Sequence, residues 1–87
     1  MFTVYILYAH PFSKTYVGQT ANIEKRLEEH NFSSSISFTK AYRPWNLIHT
    51  EKFETRAQAM AKEKFYKTGK GRLVVSEILK SYLENLI

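Results

Sequence analysis

Tyr5, Tyr16, Arg26, His30 and Glu63 are the side chains in this sequence that could together break a phosphodiester bond. That reaction needs an in-line nucleophile, a base to make it, charge to stabilise a pentacoordinate phosphorus, and help for the leaving oxygen. Glu63 is the candidate metal ligand. A hard divalent cation such as magnesium accepts one protein carboxylate and fills its other positions with water and phosphate oxygens. Arg26 offers a planar, permanently charged fork suited to phosphate oxygens. Tyr5 or Tyr16 could pass on the proton of a water, although a phenol with an ordinary pKa of about 10 needs a neighbouring cation to act as a base. His30 titrates nearer neutrality and competes as base or phosphate ligand. The residues alone leave the choice of base open.

These side chains need elements to position them. Residues 2–9 are rich in β-branched and aromatic types and predict a strand. Pro11, Ser13 and Lys14 make the connection, and residues 15–20 return as the second strand of a hairpin. Period-two alternation puts Thr3, Tyr5 and Leu7 on one face and pairs Tyr16 with Gly18 on a face of the second strand. Whether the two tyrosines share a side depends on the hairpin register, because a slip of one residue reverses every side chain. Asn22 predicts an N-cap for a helix reaching about Asn31, with Ile23 and Leu27 toward the core and Arg26 and His30 together on its flank. Residues 32–44 read as a mobile loop, and Trp45 to Phe53 as a third strand. Thr55 and Gln58 form a capping-box pattern at the start of the next helix. Ala57, Met60, Ala61 and Phe65 are its expected buried side, with Glu63 off the centre of that stripe. Gly69 and Gly71 are expected to end that helix. Val75, Ile78, Leu79, Tyr82, Leu83 and Leu86 then repeat as an amphipathic helix.

Each candidate also has a structural reading. Tyrosines on half-buried strands usually pack with a satisfied hydroxyl, and Gly18 can mark a close backbone approach. Arg26 has acids nearby on its own helix, and His30 near a helix end can serve the dipole. Glu63 has Lys67 four residues later, the favourable order for a helix ion pair.

Composition sets bounds. The 87 residues are 44% hydrophobic and 24% charged, which fits one domain with a modest core and argues against disorder. No cysteine is present to form a disulfide or a thiolate zinc site. The apolar start lacks a basic leader and is too short to span a bilayer, so a cytoplasmic, membrane-free protein is expected. Net charge is +5 with a pI near 9.6, and excess lysine and arginine attract polyanions by releasing condensed counterions. Lys40, Arg43, Lys64, Lys67, Lys70 and Arg72 are candidates to hold a nucleic-acid backbone, contacts that give position without sequence information.

Thr3-Val4-Tyr5 and Tyr16-Val17-Gly18, followed by Arg26-Leu27-Glu28-Glu29-His30-Asn31 and Ala61-Lys62-Glu63-Lys64, resemble the signature of the GIY-YIG nuclease superfamily, small single-domain branch. The resemblance covers essentially the whole chain, residues 1–87. It implies an α+β fold, a three-stranded antiparallel sheet flanked by helices. It also implies magnesium- or manganese-dependent cleavage of nucleic acid. By position, Tyr5 and Tyr16 match the signature tyrosines, Arg26 the helix arginine, Glu63 the metal carboxylate, and His30 a histidine of some branches. Thr3 replaces the first signature glycine, and a late family asparagine has no secure counterpart, Asn85 being the nearest. The expected activity is an endonuclease on DNA, including branched or damaged forms, with low sequence specificity unless a protein partner supplies it. The alternative is a non-catalytic nucleic-acid-binding module that keeps the fold. A monomer or weak homodimer is expected.

Overall fold

In the computed structural model, residues 1–32 and 41–86 are described. The order is β1 (Phe2–Ala9), a single 3-10 turn at His10–Phe12, β2 (Lys14–Thr20), α1 (Ile23–Phe32), β3 (Asn46–Phe53), α2 (Arg56–Tyr66) and α3 (Gly69–Glu84). The expected α+β architecture is present: an antiparallel sheet in the order β2-β1-β3, with helices on both sides. Ser13 supplies the left-handed residue that lets the hairpin turn back. Most of the loop expected over 32–44, with Lys40, lies outside the described residues.

β1 is the central strand and is buried from Thr3 to Ala9, so its continuous apolar run serves two cores. Val4 and Ile6 face one way and join Val17, Ala59, Tyr66 and Val75 beneath α2 and α3. Tyr5, Leu7 and Ala9 face the other way and join Trp45, with Tyr16, Ile23 and Leu27 packed against them.

The register left open by the sequence places Tyr5 opposite Gly18 and Leu7 opposite Tyr16. Directly paired residues share a face, so both tyrosines lie on the α1 side. On the other side, two expectations fail. The buried residues of α2 are Ala59 and Tyr66, with Lys62 and Glu63 half-buried, whereas Ala57, Met60 and Ala61 are exposed and Phe65 is partly so. The inward face thus runs 59, 62, 63, 66. It is selected by Tyr66, which fills the core and donates its hydroxyl to Glu51 Oε2, and by Lys62, whose ammonium lies over the Phe65 and Tyr66 rings. The glycines do not end α2 either. Lys67 closes it in right-handed conformation, Thr68 caps α3, and Gly69 and Gly71 open α3 with no positive φ. Gly71 is there for space: an added Cβ would stand 1.8 Å from the Phe65 carbonyl oxygen. The stripe on α3 holds from Val75 through Leu83, while Leu86 falls beyond the helix and is exposed.

Candidate active site at the edge of strand β2

Four of the candidate side chains gather on the α1 face. The Tyr5 and Tyr16 rings have centroids 6.3 Å apart, and His30 lies against both, at 5.7 and 4.9 Å. The Tyr5 hydroxyl and His30 Nε2 share a hydrogen bond of 2.8 Å. His30 was expected on the flank of α1 beside Arg26; it is instead fully buried. α1 is set by Asn22, whose side chain caps Lys25 N–H. Its far end is clamped by the Asn31 amide, which accepts from Trp45 N–H at 2.7 Å and donates to Trp45 C=O at 3.1 Å. Arg43 Nε donates to the His30 carbonyl at 3.0 Å. These bonds fix His30 under the tyrosines, and they give half-buried Arg43 a bracing role beside any contact with a polyanion.

Gly18 connects this face to the other. The end of the Tyr5 ring lies directly over it, leaving 2.4 Å between the hydroxyl oxygen and the position a Cβ would take. The bare backbone therefore lets the Tyr5 hydroxyl reach the outer edge of the sheet. On the far side of that edge, Glu63 lines a hollow of about 560 Å³ with Gln19, Ala57, Met60, Ala61 and Lys64. The exposed apolar residues of α2 wall this hollow and do not fill the core. Along the same edge, Tyr16 lines a groove of about 620 Å³ that includes Ser13, Thr15, Lys67 and Arg72. Lys64, Lys67 and Arg72 thus border the site. Lys70 is exposed on the first turn of α3, and Lys40 lies outside the described residues.

Electrostatics link the two faces. Burial pushes the Tyr5 phenol well above its ordinary value; Tyr16, Glu63 and Glu29 push the same way, and Arg26 opposes them. Burial, then the Arg26 charge, holds His30 below the usual imidazole value against a pull from Glu29. At neutral pH His30 is an uncharged hydrogen-bonding partner for Tyr5. Arg26 Nε lies 3.6 Å from Glu29 Oε1, and Lys67 Nζ donates to Glu63 Oε2 at 2.8 Å.

Among the described residues, two buried side-chain polar atoms lack a hydrogen-bond partner: Arg26 Nε and Gln19 Oε1. Both belong to this site. The first lies on the α1 side of the sheet and the second on the α2 side; the orphaned donor fits a ligand oxygen, and the orphaned acceptor a hydrogen or a cation. No cluster of three or more His, Cys, Asp or Glu is gathered among the described residues. The donor set is one carboxylate and one amide oxygen, suited to a hard cation that keeps much of its water and shares phosphate oxygens.

The sequence reading did not single out Gln19, Asn31 or Trp45. Asn31 clamps a backbone segment fourteen positions away, and no local pattern announces that contact. Gln19 could have been suspected as the first side chain after Gly18 to point toward α2.

The family model of the GIY-YIG catalytic domain matches residues 1–74. A UPF0213 protein of Natronomonas pharaonis is 36% identical over 66 residues, covering 71% of this chain and 78% of that one. A UPF0213 protein of Bacillus velezensis is 42% identical over 52 residues, covering 60% of this chain and 52% of its own length. Against several of these relatives the chain thus spans little more than half their length. The solution NMR structure of a UPF0213 protein from Bacillus halodurans superposes with a TM-score of 0.53 at 23% identity, over 90% of this chain and 85% of that one, a likeness of fold.

Proposed function

The chain belongs to the GIY-YIG catalytic-domain family, whose membership implies endonuclease chemistry, and from that premise we propose a divalent-metal-dependent endonuclease that hydrolyses phosphodiester bonds in DNA. Branched or damaged forms are the preferred substrates in this reading, with low sequence specificity. The observation that supports it most is the approach of Tyr5 and Tyr16 to the bare backbone of Gly18, with His30 bonded to Tyr5 and with Arg26 and Glu63 near enough for their charges to act on the Tyr5 phenol.

Glu63 would hold the cation, magnesium or manganese, in the hollow it lines together with Gln19. When bound, such an ion neutralises charge on the phosphate and polarises the oxygens around it. Arg26 takes a non-bridging phosphate oxygen through the Nε–H that has no hydrogen bond in the free protein. Water attacks phosphorus as the bond to the leaving sugar oxygen breaks, and the proton lost by that water needs an acceptor. His30 is fully buried and cannot meet the water directly. Ionising Tyr5 is opposed by burial and by both nearby carboxylates. Tyr16, partly exposed in the groove, would meet the water and relay its proton, taking it on the phenol oxygen as the phenol's own proton passes to solvent in the groove. Tyr5 and His30 act as positioning residues that fix its ring. Lys64, Lys67 and Arg72 hold the strand on either side.

The test is cleavage of supercoiled plasmid and labelled flapped or branched substrates with magnesium or manganese. Wild type should cut, and Glu63→Ala and Arg26→Ala should each lose about a hundredfold or more in rate. A wild-type protein that binds DNA at low salt, yet cuts no faster than these variants with either metal, is a binding module and no nuclease.

A further inference from the structure

The two charged groups assigned to substrate and cation both have partners within their own helices. Arg26 faces Glu29, three residues on, and Glu63 accepts from Lys67, four residues on. The second pair stands in a telling place. Glu63 walls the hollow that contains Gln19, whereas Lys67 walls the neighbouring groove with Tyr16 and Arg72. The Lys67 ammonium therefore reaches across the ridge between the proposed metal site and the proposed strand path.

We propose that Lys67 is exchanged between them. In the free protein it is the counter-ion of Glu63. Once a divalent cation occupies the Glu63 carboxylate, Lys67 turns into the groove and becomes a phosphate ligand. This rests on the metal-dependent nuclease reading above. A dication and an ammonium cannot both sit within contact distance of one carboxylate without strong like-charge repulsion. The ammonium is the mobile member, a point charge on a flexible four-carbon stem, and its side chain is 55% exposed. Its backbone stays fixed, because Lys67 N–H closes α2 on Lys64 and Phe65 carbonyls and Thr68 caps α3 immediately after. The swing needs no change of fold. Its consequence is coupling: the cation frees a charge for the strand, so each ligand raises affinity for the other.

The first arm titrates manganese alone into DNA-free protein, reading free ion by electron paramagnetic resonance. Lys67→Met should bind manganese about threefold more tightly than wild type, the scale of a lost surface ion pair. Lys80→Met is the control. It removes the same charge from an exposed turn of α3 but breaks no pair with Glu63, and should change affinity less than about twofold. The second arm measures anisotropy of a labelled DNA duplex with and without calcium at matched ionic strength. Wild type should gain affinity with calcium, and Lys67→Met should lose most of that gain. Equal tightening in the two lysine variants, or calcium-indifferent DNA binding by wild type, overturns the exchange and leaves the nuclease reading standing. If wild type takes up no manganese that Glu63→Ala abolishes, with or without DNA, the nuclease reading itself has failed.

Discussion

Replacing Gly18 with alanine tests the link between the two faces of the sheet. Gly18 pairs directly with Tyr5, so a side chain there emerges on the face the Tyr5 ring occupies. The new Cβ would lie 2.4 Å from the Tyr5 hydroxyl oxygen, 2.6 Å from Cζ and 3.1 Å from Tyr16 Cε1. Restoring ordinary contact requires the ring end to move by about 1 Å, and such overpacking costs about 1–3 kcal/mol. The ring has nowhere to go. It is 2% exposed and held between Tyr16 and His30. Moving it also breaks the 2.8 Å bond to His30, adding about 1 kcal/mol. The expected loss is therefore about 2–4 kcal/mol, which for a domain this size lowers Tm by about 10 °C or more. Urea denaturation followed by circular dichroism measures it, and the double variant with Tyr5→Phe checks the cause. Removing the closest atom should make the pair of changes cost less than their sum by about 0.5 kcal/mol or more. Cleavage should fall by about a hundredfold through misplacement of the reacting groups. A Gly18→Ala protein within about 0.5 kcal/mol of wild type, or costs that simply add, would refute the reasoning.

Two further expectations concern stability. Gly71→Ala forces a Cβ onto the Phe65 carbonyl, with Tyr66 Cα at 2.6 Å, and should cost more than about 3 kcal/mol or prevent folding. Gly69→Ala, with nothing within 4 Å, should be neutral or stabilise by up to about 1 kcal/mol; equal effects in thermal melts would contradict the packing described for α3. Acid should act in two stages. Burial and then Arg26 hold His30 below its ordinary value, so the stability it contributes is intact above about pH 6.5 and is lost as pH falls through the lowered value. For Glu51, burial alone would raise the carboxyl, but hydrogen bonds from Tyr66 and His49 and the Lys62 charge outweigh it. Its contribution is present above the ordinary carboxylate value and fades as pH drops through the folded one. Denaturation midpoints measured from pH 7 to pH 3 should fall twice. His30→Gln should remove the first fall and Glu51→Gln the second; a flat wild-type profile would contradict both.

Local chemistry was readable where it acts locally. Asn22 caps α1, and Thr55 and Gln58 form their reciprocal bonds at the start of α2. The pairing of Glu63 with Lys67 follows from four-residue spacing alone. What the sequence concealed depends on partners from elsewhere. Hydrophobicity marks Met60 and Phe65 as the core of α2, but Glu51 on β3 draws in Tyr66 and rotates the helix to match. The same rotation takes Glu63 from the margin of the expected stripe to the inward face. The two glycines after α2 carry the composition of a helix stop, yet Gly71 is a packing glycine whose neighbour is a carbonyl of the preceding helix. His30 reads as a surface titrating group until Trp45 and Arg43 clamp the end of its helix and bury it.

That burial bears on why the site lies at an edge. A central strand buried on both faces can seat aromatic rings, but it cannot admit a sugar-phosphate backbone. Among the described residues β2 has no neighbouring strand on its outer side, and at Gly18 it has no side chain. There the Tyr5 hydroxyl, anchored in one core, feels the charge of Glu63, which stands on a helix over the other core. The edge thus joins a rigid component, the tyrosine and histidine rings, to a labile one, charges held in exposed pairs worth about 1 kcal/mol or less. A ligand that offers an anionic oxygen to Arg26 and a cation to Glu63 replaces both pairs at once, at little cost in structure. The paired free state is what a site completed by its substrate requires, because Arg26 and Glu63, left bare, would each attract stray ions.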